Sequence, residues 1–293
     1  MNQFSIRDVE MLSGIKAHTL RIWEQRHGFN FCKRKESQHR YYDNDDLKQI
    51  LQISFLYHHG YKISKIAKLS ASEISDIAPS SFLPAANPAV DKLIQACTDY
   101  NEEVFSDELE RSIQTYGLED SLIRTIYPVL EEIGMLWMND KMLPAQEHFA
   151  TAIIQNKILA HTNALPAVSE DGHALALIFS PAGEMHEIPL LIARYILKKH
   201  GVRTVYLGAS IGVEEVRYFC EQKKVTHLYF NLTTNFPFFE PVEYLDLLRK
   251  AVPNVQIIAS GPVMNQLRDV PGNVTIVSSL EEITRLQQIV SAA

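Results

Sequence analysis

Three observations predict a multidomain α and α/β chain. From residue 173 onward, short apolar runs alternate with helical stretches, as in a doubly wound domain with a mainly parallel sheet. Residues 89–166 read as helix throughout, in four segments with short joints, as in a small four-helix bundle. Residues 1–70 read as short helices around one extended hairpin and carry 12 Lys+Arg against 7 Asp+Glu. The remaining residues carry 16 against 28, so the net charge of −7 hides a basic head, where an anionic partner is expected.

The length of 293 residues and the 46% apolar content suit two or three compact domains. The opening MNQFSIRDVE is polar and unlike a secretion signal. No apolar run approaches the ~18 residues of a membrane span. Three well-separated cysteines, Cys32, Cys97 and Cys220, fit a reducing cytoplasm and argue against a disulfide frame or a cysteine-rich metal site.

In the head, Ser5 can cap a first helix, IRDVEML. After the turn SGIK comes AHTLRIWEQRH, with Leu20 and Trp23 as its core face and Gly28 as its stop. FNFCKRKESQHRYY lacks helical periodicity and reads as a loop or hairpin. DNDDLKQILQISFLYHHG opens with acids and ends on glycine, a third helix, and ISKIAKLS is a fourth. Residues 71–88 form a linker, in which Pro79, Pro84 and Pro88 rule out one long helix. The bundle helices are AVDKLIQACTDYN, FSDELERSIQTYG, LEDSLIRTIYPVLEEIGMLWM and PAQEHFATAIIQNKILAHTNAL. In the domain spanning 173–293 the expected strands are ALALIFS, VRTVYLG, THLYFNL, VQIIAS and NVTIVS. The expected helices are 187–200, 213–224, 239–251, 262–269 and 280–291.

Two short helices, a tight turn and a basic hairpin suit duplex DNA. The second helix can enter the major groove while the hairpin follows the phosphates. Lys16, His18, Thr19, Arg21 and Arg26 lie in or near that helix. Lys33, Arg34, Lys35, Arg40 and Tyr41 come from the hairpin. A solvated basic surface is the alternative. The stretch FSIRDVEMLSGIKAHTLRIWEQRHGF, followed by HRYYDNDDL, resembles the MerR family of transcriptional regulators. Arg21, Trp23, Glu24 and Arg26 form its R-x-W-E-x-R core. The resemblance implies a winged helix-turn-helix that binds double-stranded promoter DNA. The family's wing has a Pro-Arg pair and a glycine where this chain reads FCKRKESQHRYY. Members usually dimerise through a long helix after the head. With prolines in that interval, a homo-oligomer must form through the C-terminal two-thirds.

The segment SPAGEMHEIPLL places Glu184 and His186 where the first apolar strand gives way to a helix, near the crevice in which open α/β sheets bind ligands. An imidazole there can ligate a metal, with the carboxylate orienting it through its other nitrogen. No second histidine or cysteine stands at ligand spacing nearby, which argues against a zinc site built by protein alone. A metal already held in a macrocycle needs one axial ligand only. A loop histidine bonded to backbone is the plain alternative.

Residues 89–293 resemble the cobalamin-binding module of methionine synthase and of photoreceptor-type MerR regulators, a helical cap followed by a Rossmann-like domain. The resemblance rests on the acid-x-His loop at Glu184–His186 and on a tryptophan followed, nine residues later, by Glu-His: Trp137, Glu147 and His148. It implies His186 as the lower axial ligand to cobalt, Trp137 over the upper face of the corrin, and Glu147–His148 at the upper ligand. It also places Asn231, Thr233, Ser260 and Gly261 near the nucleotide tail of an adenosyl- or methylcobalamin. Pro189, Asn231, Thr233 and Ser260 depart from the family's pattern, and Met138 stands where some light-sensing relatives have histidine. Bundle core for Trp137 and a first-turn acid for Glu147 remain the structural alternatives. Three functions follow: a regulator sensing a corrinoid; a regulator whose degenerate sensor serves oligomerisation or another effector; and a protein of corrinoid methyl transfer. The basic head and the lack of a substrate domain disfavour the third, so no enzyme activity is expected.

Overall fold

A computed structural model of the chain describes residues 4–13, 15–34, 40–58, 60–70, 73–74, 77, 87–139, 141–169, 174–233, 240–267 and 270–291. The chain divides into two compact units. Unit 1 comprises residues 1–108 and 127–150, and unit 2 comprises residues 109–126 and 151–293.

Unit 1 begins with α1 (Ile6–Ser13) and α2 (Ala17–His27). Gly28 stops α2 in the left-handed conformation, φ 74°, with its N–H donating to Glu24 O. Leu20 and Trp23 are buried as the core face of α2; full burial of a leucine contributes about 2 kcal/mol. The basic stretch forms a hairpin, β1 (Lys33–Arg34) antiparallel to β2 (Arg40–Tyr41). A bridge between Phe4 and Tyr42 ties the start of the chain to it. Then follow α3 (Asn44–His58), with Asp45 and Asp46 at its positive end, and the single turn α4 (Ile63–Ile66). Of the linker span, residues 71–72, 75–76 and 78–86 lie outside the described residues. Pro88 belongs to α5 (Pro88–Thr98), where its absent N–H costs nothing and the Asn87 side chain accepts from Ala89 N–H at 3.1 Å.

The next helices are α6 (Glu102–Ser121), α7 (Tyr127–Met138) and α8 (Pro144–Ala164). α6 is broken at Gly117 (φ 79°, ψ 163°), where the sequence predicts a boundary. One π turn (Leu122–Ile126) precedes α7. Within unit 1, α7 continues the core of the head. Met135 belongs to the same buried cluster as Val9, Leu20, Trp23 and Ile53, and Met138 packs against it.

Unit 2 holds a five-stranded parallel sheet of β3 (Leu175–Pro181), β4 (Arg203–Ile211), β5 (His227–Asn231), β6 (Gln256–Ser260) and β7 (Val274–Val277), in the order β4-β3-β5-β6-β7. The order reverses at β3/β5, so the loops leaving these two strands face a topological switch point. The connecting helices are α9 (Ile188–Lys199), α10 (Val213–Gln222) and α11 (Pro241–Ala251). Two expectations are corrected. The helix expected at 262–269 is one 3-10 turn, Met264–Gln266, because the backbone turns extended at Leu267 (φ −76°, ψ 128°) and one turn alone does not propagate; residues 268–269 lie outside the described residues. The helix expected at 280–291 is two, α12 (Leu280–Ile283) and α13 (Leu286–Ser291), separated at Thr284–Arg285. Among the described residues, no helix is long and apolar enough to cross a membrane.

Candidate functional site

In unit 1 the head presents α2 and the hairpin. Lys16 precedes α2 as its N-terminal flanking residue and pairs with Glu10 at 2.9 Å, remaining exposed. His18, Arg21 and Arg26 are exposed, and Thr19 is half-buried. Two of the candidate contacts also hold the wing in place. Arg40 bonds Glu24, so the motif acid on α2 fixes β2, and this bond raises the Arg40 pKa. Lys33 bonds Asp43 and lies 3.6 Å from Asp46 in the first turn of α3, an arrangement that lowers the Asp43 pKa to about 2. Tyr41 is half-buried. Arg34 lies in β1, its side chain outside the described residues, as is Lys35 altogether.

The bulk of Trp137 is not bundle core: at 37% exposure it sits on α7 with Lys48 Nζ 5.3 Å from its ring centroid. Glu147 and His148 occupy the first turns of α8, with His148 Nε2 3.4 Å from Glu147 Oε2 and the histidine strongly exposed. All three predicted cap residues thus belong to unit 1 and reach solvent.

In unit 2, β3 is seven residues of buried chain, as a central parallel strand requires. The chain then turns on Gly183 (φ 88°), and Glu184 N–H donates back to Pro181 O at 2.9 Å. This folds the Glu184 side chain beneath the loop, at 1% exposure. A buried carboxylate requires donors, and three are supplied. Oε1 accepts from His186 N–H at 2.9 Å and faces His186 Nδ1 at 2.5 Å, while Oε2 accepts from Thr233 N–H at 2.7 Å. Ser210 adds a third strand end: its N–H donates to Glu184 O at 3.2 Å and its Oγ accepts from Gly183 N–H at 3.1 Å. Sequence reasoning passed over Ser210. The bulges that shift the β3–β4 register between Ile178 and Phe179 and between Phe179 and Pro181 aim it there, with Gly208 and Ser210 both at positive φ, and only Gly208 leaves a mark in the sequence.

With its Nδ1 proton on Glu184, a neutral His186 carries its lone pair on Nε2. The side chain is 53% exposed. This is the donor set of an oriented, single imidazole ligand, and it fits one axial position of a metal held by a macrocycle. Among the described residues, no group of three or more His, Cys, Asp or Glu side chains could hold a metal ion by itself. Pro189 lies in the first turn of α9, where proline's fixed φ and missing N–H are tolerated.

The remaining candidates turn inward. Asn231 and Ser260 are buried: Ser260 Oγ donates to Asn231 Oδ1 at 3.0 Å and meets Tyr229 OH at 2.8 Å. Asn231 Nδ2 donates to Thr233 Oγ1 at 2.7 Å. Thr233 reaches Glu184 through its backbone, a contact its side-chain type does not announce. Gly261 has φ 104°, and a Cβ there would lie 2.3 Å from Leu232 O, so glycine keeps the ends of β5 and β6 together. A separate cleft of about 540 Å³, lined by Ala182, Ile211, Tyr244 and Leu247, includes none of the predicted site residues.

Comparison with known families gives two matches. Residues 4–73 match the family described as MerR HTH family regulatory protein, and residues 89–160 match the B12 binding domain. The chain is similar to the HTH-type transcriptional repressor CarH of Myxococcus xanthus, with 24% identity over 213 residues, 70% of this chain and 70% of that protein. The HTH-type transcriptional repressor CarA of the same organism is 26% identical over 223 residues, covering 74% of this chain and 72% of that one. In fold, the chain is similar to the Methanosarcina barkeri monomethylamine corrinoid protein, with TM-score 0.57 and 15% identity over 69% of this chain and 98% of that one.

Proposed function

We propose that the chain is a DNA-binding transcriptional regulator that senses a corrinoid, with His186 as the axial ligand and Glu184 orienting it. The observation that carries this reading is the Glu184–His186 dyad at the switch point of a chain with a MerR head: a buried carboxylate on Nδ1 and an exposed imidazole presenting Nε2. A bound cobalamin supplies the metal whose ligation state the protein senses. Asn231, Thr233, Ser260 and Gly261 are assigned to shaping the floor of this site by packing and hydrogen bonding. Trp137, Glu147 and His148 are assigned to the upper face. Their solvent exposure supports a ligand-facing role for them. His18, Thr19, Arg21 and Arg26 on α2 are the base- and phosphate-reading residues, with Lys16, Lys33, Arg34, Lys35, Arg40 and Tyr41 along the backbone. The names of the two relatives describe repressors, which supports regulation over catalysis. The three free cysteines fit action in the cytoplasm. Pairing of half-sites is assigned to residues beyond the linker.

The test is a titration of the full chain with adenosylcobalamin, read by absorbance, beside DNA binding over a salt series. A histidine-ligated spectrum that reverts to base-off in His186→Ala, with a loss of affinity of about 10-fold or more, is the expected result. DNA affinity should fall steeply with salt. Wild type that binds DNA and leaves the cobalamin spectrum unchanged would leave a regulator with a cofactor-free sensor.

A further inference from the structure

Helix α3 of the head is fastened to the end of α7 by more than apolar packing. Gln52 Nε2 donates to Met138 O at 3.2 Å and to Asn139 Oδ1 at 2.8 Å, closing the carbonyl end of α7. Asn139 Nδ2 in turn donates to Met135 O at 2.7 Å. One helical turn before Gln52, Lys48 extends over Trp137. Two residues earlier, Asp46 and the preceding Asp43 hold Lys33 of the wing. A chain of contacts within unit 1 therefore runs from the Trp137 ring through the first turns of α3 to the hairpin.

The geometry points to Lys48 as a ligand-sensitive latch: it rests on Trp137 when no corrinoid is bound and is expelled when one arrives, so that α3 and the wing respond to the effector. This rests on the assignment of Trp137 to the corrinoid's upper face. The chemistry favours competition. A corrin is a monoanion, so an alkylcobalt(III) corrinoid carries net positive charge at its core, and an ammonium on the same indole meets both that charge and the loss of its water. An exposed cation–π contact is worth about 0.5–1 kcal/mol, which sets a coupling of roughly 2–5-fold. Coupling between sites is reciprocal, so the factor must appear in both binding equilibria.

The experiment compares full-length wild type, Lys48→Met and Lys48→Arg. The first variant keeps the aliphatic stem without the charge, and the second keeps the cation. Adenosylcobalamin affinity is read by absorbance. Affinity for a duplex selected from a random pool is read with and without cobalamin. Acrylamide quenching without cobalamin supplies a ligand-free readout. The chain has only two tryptophans, and Trp23 is 4% exposed, so quenching reports on Trp137. Lys48→Met should raise the quenching, tighten cobalamin binding by roughly 2–5-fold and shrink the cobalamin effect on DNA affinity by the same factor. Lys48→Arg should restore wild-type behaviour. Equal cobalamin affinity in all three proteins overturns the latch while leaving the corrinoid reading intact. A wild type that does not bind cobalamin sinks the corrinoid reading and the latch with it.

Discussion

Glu184→Gln isolates the role of the buried carboxylate. The wild-type side chain accepts at both oxygens, from Thr233 N–H on one and from His186 N–H and Nδ1 on the other. An amide has one acceptor oxygen. If it faces His186, its NH₂ opposes Thr233 N–H and leaves that buried donor unpaired, at about 1–3 kcal/mol. If it flips, both His186 contacts lose their acceptor, and Nδ1 must give up its proton to accept from the amide. That tautomer places the proton on Nε2 and removes the lone pair offered to a metal. Adding the weakening of charge-assisted bonds, the expected loss is about 2–4 kcal/mol in unit 2. For a domain of this size that is a fall in Tm of roughly 4–16 °C. Differential scanning calorimetry of the full chain reads the first effect, and the cobalamin absorbance spectrum reads the second. A variant within about 0.5 kcal/mol of wild type, with an unchanged spectrum, refutes the reasoning, since surface substitutions fall in that range.

Gly261→Ala should destabilise unit 2 by at least about 3 kcal/mol, through the left-handed backbone and the contact with the Leu232 carbonyl; urea denaturation measures it. Pro189→Gly should cost about 1 kcal/mol through unfolded-chain entropy, since proline at the helix start is already fixed near the helical φ, without tightening cobalamin binding; parallel titrations and melts decide. Burial lowers the pKa of His227 at the start of β5, with Nδ1 2.8 Å from Thr226 Oγ1. The unfolded chain therefore takes up a proton below pH ~6.5 that the folded one refuses, and unit 2 should lose stability as pH falls from there. Denaturation midpoints on either side of that value should differ less in His227→Gln. Glu24→Gln should loosen the wing from α2 and weaken DNA binding by about 10-fold, as expected for loss of ~1.4 kcal/mol from a partly buried charged hydrogen bond; fluorescence anisotropy checks it.

What was legible in the sequence is what local chemistry decides. Gly28 and Gly117 mark a helix end and a helix break because each adopts positive φ. The nearly unbroken apolar run of β3, interrupted by Ser180 alone among its first six residues, announces a central parallel strand, and the acid-x-His pair announces its own contact because two residues of separation allow it. Partnerships across long separations left no such mark. Glu24 and Arg40 both stand in the recognisable motif, yet their pairing depends on how the hairpin folds back. Met135 and Met138 read as bundle residues, whereas they complete the head's core, since an unbranched apolar side chain suits either. Asn231 and Ser260 differ from the family pattern in a visible way, but the inward turn of their side chains depends on Tyr229, whose hydroxyl no spacing rule singles out. The 3-10 turn at Met264–Gln266 replaces a predicted helix because apolar content alone does not supply the turns that a helix needs.

The two positive-φ residues of β4 also bear on solubility. β4 is nine residues long and forms one edge of the sheet, the kind of strand whose unpaired peptide groups can template the addition of another chain. Gly208 and Ser210 interrupt its regular pleat, and Ser210 is drawn towards Gly183 and Glu184. A strand bent in this way offers no straight, continuous ladder to an incoming partner. The bulges that build the Glu184 loop therefore also protect the edge against aggregation. Straightening β4 would expose the protein to fibrillar self-pairing even if the sheet itself still formed.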